Sequence, residues 1–260
     1  MIDTHSHLLP GLDDGADSLE DSVAMAREAV RQGVSEVVCT PHLTDLSGSM
    51  IDDAAVAMAE LTEALQMAGI DLVLHQGFEI DFYVALSVTP AELAPFAVGP
   101  AGRALIIEMP YDGWLPRADE ALFRLRLAGF LPVLAHPERS DRLQRRPEVL
   151  DDLLRQGAVA QGTVPSLLGD FGVAGRRALL RLVSRGDLAL LATDAHYSRP
   201  RAWGFEEACQ KMARYAPAAG MDSFLLLNPR CLLEGGTFIP APPVKLRGGL
   251  KGLLDRFSGN

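Results

Sequence analysis

The stretch MIDTHSHLLPGLDDGA sets His5 and His7 one residue apart and follows them with Asp13 and Asp14. Imidazole nitrogens and carboxylate oxygens together suit divalent Zn, Mn or Fe, and carboxylates can bridge two ions. On a β-strand residues i and i+2 share a face, so both rings would meet one ion. Asp194 and His196, in TDAH, repeat that spacing far along the chain.

Four further residues extend the pattern: His42 after VVCTP, Glu79 closing DLVLHQGFE, Glu108 in RALIIEM and His136 after FLPVLA. Taken alone, a histidine after a strand is more often a hydrogen-bonded structural residue, and a lone Glu an ion-pair partner. Five of the six histidines, however, fall at strand ends beside Asp or Glu, which favours a shared metal site. His75, inside DLVLHQG, is read as structural.

The elements that must position these residues are short apolar runs alternating with helical periodicities. MIDTHSH, VSEVVCTPH, DLVLHQGFE, RALIIEM, FLPVLAHPE, GAVAQG and DLALLATDAH read as seven strands. SLEDSVAMAREAVRQG reads as a helix capped by Ser18, with Val23, Ala26 and Val30 as its apolar face and Gly33 at its end. DDAAVAMAELTEALQMAG is the next helix, and others begin near Asp119, Pro147 and Ala174. Repeated βα units imply an α/β fold with a parallel sheet, and this many suggest a barrel. In such a barrel the C-terminal strand ends share one face, where distant residues converge.

No clear linker divides the chain, so residues 1–239 are expected to form one domain and residues 240–260 a tail. That tail, PAPPVKLRGGLKGLLDRFSGN, reads either as an extended arm ending in a short amphipathic helix or as a frayed terminus.

At 260 residues and 48% hydrophobic the chain can bury a sizeable core, and its net charge of −10 argues against broad nucleic-acid or anionic-membrane binding. An anionic small substrate stays open, because a few arginines and metal ions reverse a local field. Cys39, Cys209 and Cys231 form neither a disulfide framework nor a CxxC motif, which points to a reducing compartment. Six residues beyond them stand Asp45, Tyr215 and Thr237, so the C-x5-R arrangement of phosphocysteine chemistry is excluded. No signal sequence or bilayer-length apolar run is evident, and a cytoplasmic protein without stable membrane insertion is expected.

The motifs DTHSHLLPGLDDGA, TPH, GFEI, IEMP, AHPER and TDAH, in that order from Ile2 to about Arg201, resemble those of PHP-domain phosphoesterases. The likeness is greatest to the bacterial PHP-type protein tyrosine phosphatases of capsule and exopolysaccharide operons. It rests mainly on H-x-H-x-L-P-G-x-D-D-G and on HPER.

The resemblance implies a distorted (β/α)7 barrel holding up to three divalent ions, with Mn first and Fe, Zn or Co as alternatives. One ion would take His5, His7, Glu79 and Asp194. A second would share Glu79 and add Glu108 and His136. A third would take His42 and His196 with an acidic residue of LDDG, Asp14 being preferred to Asp13. Arg139 and Arg199 match arginines assigned to phosphate binding, with Arg201 two residues beyond the latter. Guanidinium suits that role because it makes bidentate contacts to phosphoryl oxygens.

The implied reaction is attack on phosphotyrosine by a metal-activated hydroxide, with a phenolate leaving group. Asp194 or His196 would protonate that group or organise water, although both are also proposed ligands. Tyr111 and Trp114 either pack as loop aromatics or form a rim for the substrate ring. A loop over residues 45–53 is expected to gate the site. QGTVPSLLGDFG departs from Q-x-N-x-x-S-L-x-G, which puts in question any role of the Asn position.

The implied partner is a phosphotyrosine protein, a tyrosine autokinase of polysaccharide biosynthesis. The rival readings are a histidinol-phosphate phosphatase or other small-molecule phosphoesterase, an exonuclease, which the acidic balance disfavours, and a non-catalytic metal-binding scaffold. Oligomeric state is left open.

Overall fold

The apolar runs and helical periodicities fold as successive βα units in the computed structural model, which describes residues 1–46, 49–112, 117–197, 203–216 and 220–246. β1 (Ile2–Ser6) is buried at every position and leads to α1 (Leu19–Arg31), whose N-cap Ser18 accepts from the Asp21 amide. β2 (Glu36–Cys39), β3 (His42–Leu43), α2 (Met50–Met67), β4 (Val73–Gln76), β5 (Glu79–Asp81), α3 (Phe82–Ser87) and α4 (Pro90–Leu93) follow. Then come β6 (Ala104–Glu108), α5 (Ala118–Leu127), β7 (Leu131–Ala135), α6 (Asp141–Arg145) and α7 (Pro147–Arg155). β8 (Val159–Thr163), α8 (Val164–Leu168), α9 (Gly172–Arg185), β9 (Leu188–Ala192), α10 (Phe205–Tyr215) and α11 (Asn228–Glu234) complete the described elements.

Two of the seven expected strands are broken. VSEVVCTPH divides into β2 and β3 around Pro41, which has no amide hydrogen to give a ladder. DLVLHQGFE divides into β4 and β5 at Gly77, where a Cβ would meet Val38 Cγ1 at 2.8 Å. The strands pair in parallel as β1-β2-β4 and as β3-β5-β6-β7-β8-β9. The chain beyond β9 returns to β1: Asp194 N donates to His5 O at 2.9 Å and His7 N to Ala195 O at 3.0 Å.

Strand alternation sorts the core into two layers. Leu105 and Ile107 of β6 face the helices, whereas Ala104 and Ile106 join Ile2, Val38, Val133, Leu190 and α11 residues Leu232 and Leu233 in an inner cluster. Glu108 continues the parity of Ala104 and Ile106 and so comes to lie above that inner cluster, at the C-terminal end. Ile2 and His5 differ in parity. A register irregularity between Asp3 and Ser6 allows β1 to present both inward.

Two expectations change. α1 buries Ser22, Met25, Ala26 and Ala29, with Val23 partly buried against the core, so of the expected face Val30 alone is exposed. The expected loop over 45–53 is already helix from Met50. Trp114, Arg199 and Arg201 lie outside the described residues, as does the chain from residue 247. Of the expected tail, Ala241 and Leu246 are buried and Val244 N donates to Ser184 O. No helix among the described residues is long and apolar enough to cross a membrane.

Candidate metal centre

One face, formed by the C-terminal ends of β1, β6, β7 and β9 and by the starts of β3 and β5, brings nine predicted residues together. β1 and the residue after it carry His5 and His7, and the following turn carries Asp14. His42 opens β3, Glu79 opens β5 and Glu108 ends β6. His136 follows β7, while Asp194 and His196 follow β9. His136 (φ +32°) and Asp194 (φ +52°) turn the chain in the left-handed region, a conformation costing roughly 1–3 kcal/mol for a residue with a Cβ. Strain of that kind is commonly retained where it places a functional side chain, and both of these side chains reach into the cluster.

Glu79 is the hub. Its Oε2 lies 3.1 Å from His5 Nε2, 3.2 Å from His7 Nε2 and 3.1 Å from His42 Nδ1, and its Oε1 lies 2.7 Å from His136 Nε2. Asp194 Oδ1 lies 3.2 Å from His7 Nε2, and Asp14 Oδ1 lies 3.1 Å from His196 Nε2 and 3.4 Å from His42 Nε2. Three sets have ligand atoms within 4.8 Å of one another: His5, His7, Glu79 and Asp194; His7, Asp14, His42 and His196; and His42, Glu79 and Glu108. The first has the membership the resemblance implies. The second adds His7 to the implied third set. In the last, His42 stands beside Glu79 and Glu108, while His136 is bonded to the other oxygen of Glu79.

The donor chemistry fits cations. Gln161 uses its amide nitrogen on Thr4, at 2.8 Å from Oγ1, so its Oε1 faces His5 Nδ1 at 2.8 Å and can only accept. His5 therefore carries its hydrogen on Nδ1 when neutral. Asp13 Oδ2 accepts from His7 Nδ1 at 2.6 Å and fixes the same tautomer there. Both Nε2 lone pairs then point at a carboxylate oxygen. Buried His5 Nε2, His7 Nε2 and Glu79 Oε2 have no well-directed hydrogen bond. A lone pair facing a buried anion is repulsive until a proton or a metal ion stands between them.

Proton affinities report the same demand. Burial pulls the His5 imidazole down, but Glu79 beside it more than reverses this and leaves it raised. His7 is pulled down by burial and then lifted well above the ordinary value by Asp13, Asp194 and Glu79. Burial pushes Glu79 up, yet His5 and His136 hold it well below the usual carboxylate range. Glu108 is pushed up to about 7, first by burial and then by the charge of Glu79.

Without metal, Glu108 holds its proton below about pH 7, and His5 and His7 keep theirs to higher pH than an ordinary imidazole does. Ligation must release these protons, so apparent metal affinity should rise with pH and fall as pH drops below 7, by up to about tenfold per unit for each proton released. Metal titrations at pH 6 and pH 8 in buffers of different ionisation enthalpy would measure both the affinity and the proton release. Equal affinities with no proton release would contradict the assignment.

Beside the cluster is a cavity of about 540 Å3, bordered by Glu79, Glu108, Asp194, His196, Tyr111 and Phe171. Tyr111 stacks parallel to His136, with centroids 5.7 Å apart. Arg139 is buried, donates from Nη1 to Asp194 Oδ2 at 2.6 Å, and lies 3.9 Å over the Phe171 ring. His75 stands apart, bonded to Glu36 at 2.9 Å. Cys39 is fully buried and burial pushes its thiol up, which makes it a poor nucleophile.

Residues not singled out as functional from sequence also enter the site. Asp13 was visible as an alternative ligand, but it orients His7 instead and also accepts from the His42 amide at 3.0 Å. Gln161 stood in a recognisable motif without a role. Phe171, in the α8–α9 connection, carried no sequence signal.

A family model described as capsular polysaccharide synthesis, CpsB/CapC, matches residues 1–234. The chain is 33% identical over 247 residues to the tyrosine-protein phosphatase YwqE of Bacillus subtilis, covering 94% of this chain and 95% of YwqE. It is 25% identical to the tyrosine-protein phosphatase CpsB of Streptococcus pneumoniae, covering 90% of this chain and 98% of CpsB. A chain from the crystal structures of YwqE and CpsB, described as unique metal-dependent tyrosine phosphatases, superposes with a TM-score of 0.84 at 32% identity, covering 94% of this chain and 98% of that one. An organophosphorus hydrolase from Deinococcus radiodurans shares the fold, with a TM-score of 0.56 at 14% identity over 89% of this chain and 92% of that one.

Proposed function

The chain belongs to the CpsB/CapC family of capsular polysaccharide synthesis, and from that premise we propose that it is a metal-dependent tyrosine phosphatase acting on phosphotyrosine in a protein. The observation that carries this reading is the buried set of His5, His7, Glu79 and Asp194, whose facing lone pairs and charges call for a cation at the mouth of a cavity. The two parallel sheets, rejoined through Ser6 and Ala195, are read as a distorted (β/α)7 barrel. Residues 1–239 are assigned to the phosphatase domain and 240–260 to a tail.

His5, His7, Asp14, His42, Glu79, Glu108, His136, Asp194 and His196 would hold up to three ions, with Mn first and Fe, Zn or Co as alternatives. Divalent ions so held lower the pKa of water and stabilise charge on phosphoryl oxygens. The chain's own residues supply the rest. Gln161 and Asp13 keep the His5 and His7 lone pairs aimed inward. Asp194 orients Arg139, whose guanidinium would take phosphoryl oxygens, with Arg199 proposed as a second anion contact. Tyr111 and Phe171 give the cavity aromatic walls suited to a phenyl ring, and Trp114 is proposed to join them. Phenol ionises near pH 10, so the leaving group needs modest help, for which Asp194 and His196 are the candidates. A cytoplasmic tyrosine autokinase of polysaccharide biosynthesis is the proposed partner.

The test is phosphate release from a phosphotyrosine peptide, with histidinol phosphate in parallel, using protein as isolated, after chelation and after Mn2+ is restored. Metal-dependent turnover confined to the peptide is the expected result. Preference for histidinol phosphate would move the protein to small-molecule metabolism. Silence on both substrates with metal bound would leave a binding scaffold.

A further inference from the structure

We infer that Thr163, the last residue of β8, is a positioning residue for Arg139, with Glu138 fixing the direction of the Thr163 hydroxyl. The inference rests on the phosphate-binding role proposed for Arg139. Arg139 donates from Nη1 to Asp194 Oδ2 at 2.6 Å and from Nη2 to Thr163 Oγ1 at 3.1 Å, so both terminal nitrogens are held. Two anchored nitrogens and the Phe171 face define the plane and the rotation of the guanidinium.

The polarity of the Thr163 contact follows from its own hydrogen bonds. Glu138 Oε1 accepts from the Thr163 amide and from the Thr163 hydroxyl, each at 3.0 Å. A hydroxyl has one hydrogen. With it committed to Glu138, Thr163 Oγ1 can only accept from Arg139, and Ser166 Oγ, 3.0 Å away, must donate. Thr163, Ser166 and Glu138 are at most 1% exposed, and Arg139 is 7% exposed. Little water competes there, so each bond is strong and its loss is costly. Thr163 is also where QGTVPSLLGDFG departs from Q-x-N-x-x-S-L-x-G.

A purely structural Thr163 would need only its amide bond to Glu138, which valine retains. Thr163→Val therefore isolates the hydroxyl. On the metal-loaded full chain, kcat/KM for the phosphotyrosine peptide should fall roughly ten- to hundredfold, as expected for losing a hydrogen bond to a charged group. Inhibition by inorganic phosphate should weaken in parallel, and Thr163→Ser should restore both. In an Arg139→Ala background, Thr163→Val should cost nothing further, because the residue it positions is gone. Glu138→Gln, which keeps the acceptor oxygen but not the charge, should give a smaller loss that also vanishes in that background, and it serves if Thr163→Val does not fold. Full activity in Thr163→Val, or losses that simply add to those of Arg139→Ala, would overturn the inference while leaving the phosphatase reading intact. Wild-type activity in Arg139→Ala itself would overturn both this inference and the role of Arg139.

Discussion

Glu79→Gln is expected to lower turnover by roughly 1000-fold or more, since it removes the carboxylate common to two ligand sets and with it the charge that clusters the ions. The substitution preserves shape but replaces one oxygen with an NH2 group. That group can donate to the Nε2 lone pairs of His5 or His7, which lie 3.1 and 3.2 Å from Glu79 Oε2. That donation needs a neutral imidazole; where His5 and His7 are protonated the metal-free variant should instead lose stability, because both lose the buried anion that raises their proton affinity. Circular dichroism and thermal melting in chelator, metal content by elemental analysis and phosphate release from a phosphotyrosine peptide separate these effects. Full metal content with near wild-type turnover would refute the central role of Glu79. An unfolded variant would show that the carboxylate also carries the fold.

Arg139→Ala should cost roughly 100- to 1000-fold in kcat/KM, comparable with removing one preorganised donor from a charged transition state. Its guanidinium is held between Asp194 and the Phe171 face, so in the role proposed for it Arg139 would meet a phosphoryl group without reorganising. Arg139→Lys should recover little, because an ammonium neither spans two acceptors in a plane nor stacks on the ring as guanidinium does. Metal content should be unchanged in both variants, which distinguishes this loss from that of Glu79→Gln. Steady-state kinetics and the inhibition constant of inorganic phosphate provide the test. An Arg139→Ala enzyme with unaltered phosphate inhibition would remove Arg139 from the site.

Much of the candidate site was legible because strand ends and residue chemistry are local properties. HSH, TPH, the Glu of GFE, the Glu of IEM and TDAH each follow or close an apolar run, and a parallel α/β fold gathers such ends on one face. The helix starts near Asp119, Pro147 and Ala174 were equally local, as was the Ser18 cap. The face of α1 was only partly so. Its valines and alanines left the stripe without a unique centre, and packing chose Met25, Ala26 and Ala29.

What the chain's sequence determined by itself was therefore the alternation of strands and helices, the inventory of candidate ligands and the absence of a C-x5-R cysteine. Tertiary structure alone decided how those ligands are grouped. Whether His42 or His136 stands with Glu108 depends on a few ångströms set by strand register, by the breaks at Pro41 and Gly77, and by left-handed turns at His136 and Asp194. It also decided which polar neighbours serve the site indirectly. Asp13, Gln161 and Thr163 act through hydrogen bonds to partners as far as 156 residues away, as from Gln161 to His5. Sequence periodicity reports which face a side chain takes, whereas a hydrogen bond depends on where two such faces meet.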